Sequence, residues 1–284
     1  MTVRAPAKIN RFLYILDRLP NGYHQILTMF EKLELFDILD IQAAKDAPAS
    51  ISIRCPDWLP SGPENLVYKS SELFMRASGL KLAVTITIEK HIPAGGGLGG
   101  GSSDAAATLK ALNELTGCPL HKIELRHLGS QLGADVPFFL EDWKIAMGRG
   151  TGTDLEEVRE MLPNWYVLAL PDFGVSTRWA YQNFKLTRKT DITIFDRRRL
   201  LSGDIWQNDL ENPVFARYPE LIGIKKSLVR AGAKVSLMSG SGSTVFGVFQ
   251  DRKSAERGAA AVTAETGINC LVTSTLQEGE PAFS

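Results

Sequence analysis

Pro93-Ala94-Gly95-Gly96-Gly97-Leu98-Gly99-Gly100-Gly101-Ser102-Ser103 is the stretch that decides how the rest of the chain reads. Six glycines fall within the nine positions 95 to 103. Glycine loses more backbone freedom on folding than any other residue, so such a run is kept where the chain needs positive φ or where a ligand must approach the backbone. Successive N–H groups can then point inward at an anion. Ser102, Ser103 and Asp104 are good helix N-cap types. From Asp104 to Leu115 the apolar residues Ala105, Ala106, Leu109, Leu112 and Leu115 form the stripe of an amphipathic helix. A helix start adds free N–H donors and about half a positive charge. Upstream, Leu82, Val84, Ile86 and Ile88 alternate with Ala83, Thr85 and Thr87, the period of a strand. Strand, glycine loop and helix start together read as a phosphate cradle. A flexible linker would neither hold a lone Leu98 nor end on a capped amphipathic helix.

Two common cradles fail on context. Gly95 to Gly100 formally fits G-x-G-x-x-G, but almost any spacing can be found in such a run. The dinucleotide fingerprint also wants the turn directly after its strand and an acidic residue about 20 positions on. Here Glu89 to Pro93 intervenes and the following region reads as two helices, the second starting at Pro119, running to about Leu132 and stopped by Gly133. A P-loop needs Gly-Lys-Ser/Thr, and Gly101 is followed by Ser102-Ser103.

Working outward, the first half mixes strands and helices. Phe12 to Leu16 is a short apolar run before the turn Pro20-Asn21-Gly22, Leu33 to Ile41 looks extended, and Asn65 to Arg76 has helical order. The second half reads as a strand (Trp165 to Leu170), a helix (Arg217 to Arg230, ended by Gly232), two paired strands (Lys234 to Met238 and Thr244 to Phe249), a helix (Ser254 to Thr266) and a last strand (Asn269 to Ser274). That is the order of a ferredoxin-like unit. Residues 185 to 199 are charged and show no pattern.

The chain of 284 residues is comfortable for two packed domains. Lys+Arg and Asp+Glu are equal at 32 each, which leaves no broad basic field for nucleic acid. An anionic ligand must be held by local devices. Cys55, Cys118 and Cys270 are scattered, which argues against a disulfide framework or zinc site and for a reducing compartment. His24, His91, His121 and His127 show no metal-ligand spacing. The N-terminus has no apolar leader, and no apolar run approaches the ~20 residues of a membrane span. A cytoplasmic protein without nucleic-acid or membrane partners is expected.

The glycine stretch resembles the ATP loop of the GHMP kinase superfamily. Ala5-Pro6-Ala7-Lys8-Ile9-Asn10 resembles its N-terminal motif, and Leu237-Met238-Ser239-Gly240-Ser241-Gly242-Ser243-Thr244-Val245-Phe246 resembles its C-terminal glycine motif. Asn21-Gly22-Tyr23-His24 and Leu132-Gly133-Ala134-Asp135-Val136-Pro137 are similar to the branch whose alcohol substrate is CDP-methylerythritol. The resemblance spans residues 5 to about 250. It implies a two-domain α+β fold, with residues 1–158 related to ribosomal protein S5 domain 2, residues 159–284 ferredoxin-like, and the site in the cleft between them. Arg11 stands where that family more usually has an apolar residue.

The same resemblance implies ATP with Mg²⁺, though no metal-ligand cluster is visible. It places a catalytic aspartate at Asp135, to accept the hydroxyl proton, and a catalytic lysine at Lys8, to keep Asp135 ionised and stabilise the moving phosphoryl group. Asn65 and residues Pro93 to Ser103 are expected to bind ATP; Asn65 could equally cap its helix. Tyr23 is expected to stack on cytosine and His24 to hydrogen-bond it, while Asn10, Gly240 and Ser241 hold the substrate. Two other readings compete: a kinase for mevalonate or homoserine, opposed by Asn21-Gly22-Tyr23-His24, and a GHMP-fold regulator without catalysis, opposed by Lys8 and Asp135. A nucleotide-dependent oxidoreductase is weakened by the context of the loop. Oligomeric state is not legible.

Overall fold

Gly22, at φ 86°, turns the chain between two strands far longer than their apolar runs suggest. These are β1 (Thr2–Arg18) and β2 (His24–Ala44). The turn is closed by Tyr23 O accepting from Leu19 N–H at 2.7 Å and by Asn21 Oδ1 accepting from Tyr23 N–H at 3.1 Å. Register shifts interrupt the β1–β2 ladder between Pro6 and Lys8, Asn10 and Phe12, and Ile15 and Asp17. Each shift reverses which parity of residue faces which side. This is why no clean period of two marks β1, and why Val3 and Ala5 share one core with Phe30 while Ala7 and Ile9 belong to another.

The computed structural model describes residues 1–45, 47–159, 161–186 and 196–277. The first half continues with β3 (Ser50–Arg54), α1 (Leu66–Ser78), β4 (Ala83–Glu89), α2 (Gly100–Leu115), α3 (Lys122–Leu132), α4 (Val136–Leu140), β5 (Ile145–Arg149) and β6 (Asp154–Glu157). The second half holds β7 (Trp165–Leu170), α5 (Thr177–Asn183), α6 (Arg197–Leu201), β8 (Gln207–Asn208), α7 (Glu211–Arg217), α8 (Glu220–Arg230), β9 (Val235–Met238), β10 (Val245–Phe249), α9 (Arg252–Thr266) and β11 (Asn269–Ser274). Of the unpatterned segment 185–199, residues 187–195 lie outside the described residues.

One sheet runs β3-β4-β2-β1-β8, with β5 also pairing β2 and β6 pairing β5. The other runs β11-β7-β10-β9. With α8 and α9 as its helices, the second sheet has the expected ferredoxin-like order. Residues of α1 to α4 such as Phe74, Leu109, Leu128 and Phe138 pack on Leu39, Ile86 and Phe30 of the first sheet. On the other face, Ala7, Ile9 and Leu33 meet Tyr166, Leu168 and Phe246 of the second sheet. Arg11 is buried there: its Nε donates to Glu31, whose carboxylate also accepts from Tyr166 Oη at 2.9 Å and Thr275 Oγ1 at 2.5 Å. A charged residue thus replaces the expected apolar one because Glu31 neutralises it.

Three expected boundaries move. α2 begins at Gly100 with Gly99 as its N-cap, so Ser102, Ser103 and Asp104 lie inside the helix rather than capping it. α3 begins three residues after Pro119, at Lys122, because His121 and Glu124 form a capping box. The helix expected over Arg217 to Arg230 begins at Glu220, and Arg217 instead ends the separate helix α7, because Pro219 disfavours helical geometry at Tyr218, which sits at φ −124°, ψ 70°. Among the described residues no helix is long and apolar enough to cross a membrane.

Candidate active site

The glycine loop and the Ser239–Ser243 turn lie against each other. The loop's carbonyls face protein: Gly95 O accepts from Val175 N–H, Gly96 O from Thr244 N–H, Gly97 O from Ser239 Oγ at 3.0 Å, and Leu98 O from Lys8 N–H at 2.8 Å. None of the N–H groups of Gly95 to Gly99 donates to another described residue. A strip of unspent donors therefore leads into the N-terminus of α2, a geometry suited to an anion. At Gly97 the reason for glycine is internal packing: φ is 76° and a Cβ would stand 2.1 Å from Ser239 O. Gly101 differs, its nearest neighbour to an added Cβ being Leu66 at 3.6 Å.

Lys8 and Asp135, 127 positions apart, meet in this cavity of about 460 Å³. Lys8 Nζ is 3.4 Å from Asp135 Oδ2 and donates to Asn10 Oδ1 at 2.8 Å and Gly97 O at 2.9 Å. The lysine side chain is 5% exposed and the aspartate 32%, so the pair has one buried and one accessible member. Asn10 is oriented by Thr28, whose Oγ1 accepts from Asn10 Nδ2 and donates to Phe12 O. Asp135 is the residue before the short helix α4. The register shift at Pro6/Lys8 is what turns Lys8 and Asn10 toward the helices.

Most expected site residues line this cavity: Lys8, Asn10, Asn65, Pro93 to Ser102, Asp135, Gly240 and Ser241. Ser103 does not; its side chain is buried without a partner. Asn65 lines the wall but spends its amide as the α1 cap, accepting from Val67 N–H at 2.8 Å and donating to Pro60 O at 2.7 Å. Tyr23 and His24 lie outside the lining. Tyr23 is 64% exposed. The His24 ring lies tilted against Tyr181, centroids 5.4 Å apart, and Tyr181 does line the cavity. Burial, then the Asp135 charge, push the Tyr181 hydroxyl well above its ordinary pKa.

The sequence reading missed Tyr181, Thr177, Lys90 and Asp104. The first two sit on α5, a seven-residue helix with a single fully buried residue, so no periodicity marks it. Thr177 Oγ1 lies 2.9 Å from Ser241 Oγ. Lys90 ion-pairs with Asp37 and, at 2.8 Å, with Oδ2 of Asp104, the fifth residue of α2. Asp37 Oδ1 also accepts from His91 N–H and Ile92 N–H, tying the strand end to the loop. Burial, opposed by Lys90, lifts Asp104 to about 7. Its Oδ1 is buried with no partner. No group of three or more His, Cys, Asp or Glu residues suited to a metal ion occurs among the described residues.

Residues 65–142 match the GHMP kinases N terminal domain, and residues 184–269 match the GHMP kinases C terminal domain. Over 267 residues the chain is 41% identical to the 4-diphosphocytidyl-2-C-methyl-D-erythritol kinase of Geobacter sp. (strain M21), covering 93% of this chain and 94% of the relative. It is 38% identical over 269 residues to the protein of that name from Geobacter sulfurreducens, covering 94% and 96%. A crystal structure of 4-(cytidine 5'-diphospho)-2C-methyl-D-erythritol kinase superposes with TM-score 0.82 at 33% identity, covering 98% of this chain and 100% of that one. Homoserine kinase from Cytophaga hutchinsonii superposes with TM-score 0.74 at 18% identity, over 97% and 94% of the two chains, a likeness of fold alone.

Proposed function

The chain belongs to the GHMP kinases, and on that premise we propose that it transfers the γ-phosphoryl group of ATP to the 2-hydroxyl of 4-diphosphocytidyl-2-C-methyl-D-erythritol, a step of the non-mevalonate route to isoprenoid precursors. The observation that carries the chemistry is the Lys8–Asp135 pair beside a strip of free N–H groups. Phosphoryl transfer asks mostly for positioning and charge neutralisation. The loop N–H groups and the α2 N-terminus take the phosphates. Asp135, accessible on one side, accepts the proton of the acceptor hydroxyl as its oxygen bonds to the γ-phosphorus. The bond from that phosphorus to the β–γ bridging oxygen breaks, and ADP leaves. Lys8 lies against the Asp135 carboxylate, and its bond to Gly97 O sets the ammonium between base and cradle, where negative charge crosses.

Mg²⁺ suits the oxygen donors at the start of α2. Ser102 and Asp104 line the cavity, and Asp104 Oδ1 has no hydrogen-bond partner. These two would hold the ion together with ATP phosphate oxygens, the usual mixed set for Mg²⁺. When bound, it neutralises charge on the β- and γ-phosphates.

Tyr181 in the cavity wall, with His24 against it and exposed Tyr23 beside His24 in sequence, supplies aromatic faces and a polar edge suited to cytosine. Asn10 and Gly240 stand beside Lys8, and Ser241 meets Thr177 in the same lining, a polar set suited to the polyol and its diphosphate. In this reading residues 1–158 form the nucleotide-binding and catalytic domain and residues 159–284 the ferredoxin-like domain. Free thiols at Cys55, Cys118 and Cys270 suit the cytoplasm. The test is ADP release with CDP-methylerythritol beside mevalonate, homoserine and galactose. Turnover is expected with the first alone, and preferred turnover of another alcohol would overturn the assignment.

A further inference from the structure

Lys8 has a buried counterpart one strand away. Lys32 stands opposite it in the β1–β2 register, and such partners project from the same face of a sheet. Lys32 is 4% exposed. Its Nζ donates to the backbone carbonyl of Glu141 at 2.5 Å and lies 5.1 Å from the centre of the Phe138 ring. One carbonyl and one ring are poor compensation for burying an ammonium. Burial accordingly pulls Lys32 down to about 7; Lys110 and Lys122 add repulsion, while Asp142 and Glu141 oppose the shift. A group this costly to bury is expected to hold something in place.

What it holds is the far end of α4. That helix has five residues, about 7.5 Å of rise, far too short to be stable alone. Asp135 caps its start and Glu141 its end. Lys8 meets the first and Lys32 the second. The Glu141 carboxylate, fully buried, is also gripped from α3 by Arg126 and by Lys122 at 2.7 Å. We propose that Lys32 is a positioning residue for phosphoryl transfer: by gripping the C-terminal end of α4 it fixes the depth and rotation at which Asp135 meets the acceptor hydroxyl. The inference rests on Asp135 being the catalytic carboxylate.

Lys32→Met keeps the apolar stem and removes the donor. It should lower kcat by about ten- to a hundredfold, the cost of a base misplaced by about 1 Å, and leave the ATP KM within about twofold. Amide hydrogen exchange in peptides spanning 134–142 should speed up while the other helices keep wild-type rates. Lys32→Arg, which restores a donor, should recover part of both effects. Lys122→Ala alone leaves Arg126 on the buried Glu141 carboxylate, loosens the same helix end from its α3 side, and should move both readouts the same way by less. Wild-type exchange over 134–142 in the Lys32 variant, or faster exchange with unchanged kcat, overturns the proposal. Should the Lys32 variant not fold, the Lys122 variant decides by the same criteria. A wild type that fails to phosphorylate CDP-methylerythritol sinks the substrate assignment instead, and the exchange measurement still decides whether Lys32 anchors α4.

Discussion

The phosphate-binding and base-binding parts of the proposed site are built to different standards. At the phosphate end, Lys8 is buried with three partners, Asn10 is held through Thr28 to Phe12 O, and the loop carbonyls from Gly95 to Gly99 are all engaged. At the base end, Tyr23 is exposed on a glycine turn, and His24 leans on Tyr181 without a hydrogen bond to any described residue. A group that stabilises charge in a transition state must be in place beforehand, because reorganising it would add to the barrier. A face that stacks on a base can be ordered by the ligand itself, at some expense in affinity. The difference predicts that substitutions at the phosphate end act mainly on kcat and ATP, and those at the base end on the KM of the cytidine substrate.

The strongest test removes the base. Asp135→Asn keeps the shape and should fold normally, while turnover drops about 10²–10⁴-fold, as for loss of a general base. Steady-state kcat at saturating substrates measures it, and a variant within threefold of wild type would remove Asp135 from the mechanism. Next is the loop. Gly97→Ala forces a Cβ toward Ser239 O from a left-handed backbone; at about 1–3 kcal/mol for the clash, plus the left-handed penalty of about 1–2, ATP binding should weaken by roughly a hundredfold. Gly101→Ala has room and an ordinary φ, and should bind ATP within about threefold of wild type. Titration calorimetry with a non-hydrolysable ATP analogue compares the two. Equal losses would mean that glycine is required throughout for ligand access rather than at Gly97 for packing.

How much of this was legible follows the same division. The glycine loop, Lys8, Asn10 and Asp135 sit in contiguous motifs, and the ferredoxin-like unit repeats its order in plain periodicity, so these were readable. β1 and β2 were underestimated because three register shifts and burial on both faces erase the alternation that marks a strand. β8 has two residues and joins the first sheet from the second half, through Phe12 and Gln207, where no local pattern could betray it. Tyr181 and Thr177 are brought to the cavity by a short helix whose only fully buried residue is Ala180. Lys32 looked like any strand lysine; that it lies against α4 is a fact of register and packing, not of spacing.

At the base end the expected effects are smaller. Tyr181→Ala removes the ring that both lines the cavity and supports His24, and Tyr23→Ala removes the exposed one. Base–aromatic stacking contributes about 1–3 kcal/mol, so each should raise the CDP-methylerythritol KM about fivefold or more. The ATP KM should stay nearly constant, and CMP should compete with substrate in the wild type and lose potency in both variants. Failure of CMP to compete would leave the cavity without a base end.

The smallest effect expected is a pH dependence that stays nearly flat. Burial, and then the charge of Arg18, hold His24 below its ordinary pKa of 6.5. The groups against the ring are Tyr181 and Phe184, so Arg18 is the charge that acts on it. The sign follows: the folded protein favours the neutral imidazole, so stability is lost as pH falls from 6.5 toward the lowered value, because the unfolded chain takes up the proton first. Above 6.5 the ring is neutral, with one donor and one acceptor for a cytosine edge. The CDP-methylerythritol KM should therefore change by less than about twofold between pH 8 and 6.5, and rise below that as His24 charges and loses its acceptor. His24→Gln keeps a donor and an acceptor but cannot titrate in this range. Its KM should be higher throughout and lack the acid rise, which separates His24 from any titration of Asp104 beside the loop. A wild-type KM that climbs between pH 8 and 6.5, or an acid rise that survives in His24→Gln, would remove His24 from base recognition and leave the aromatic rings as the whole of the base end.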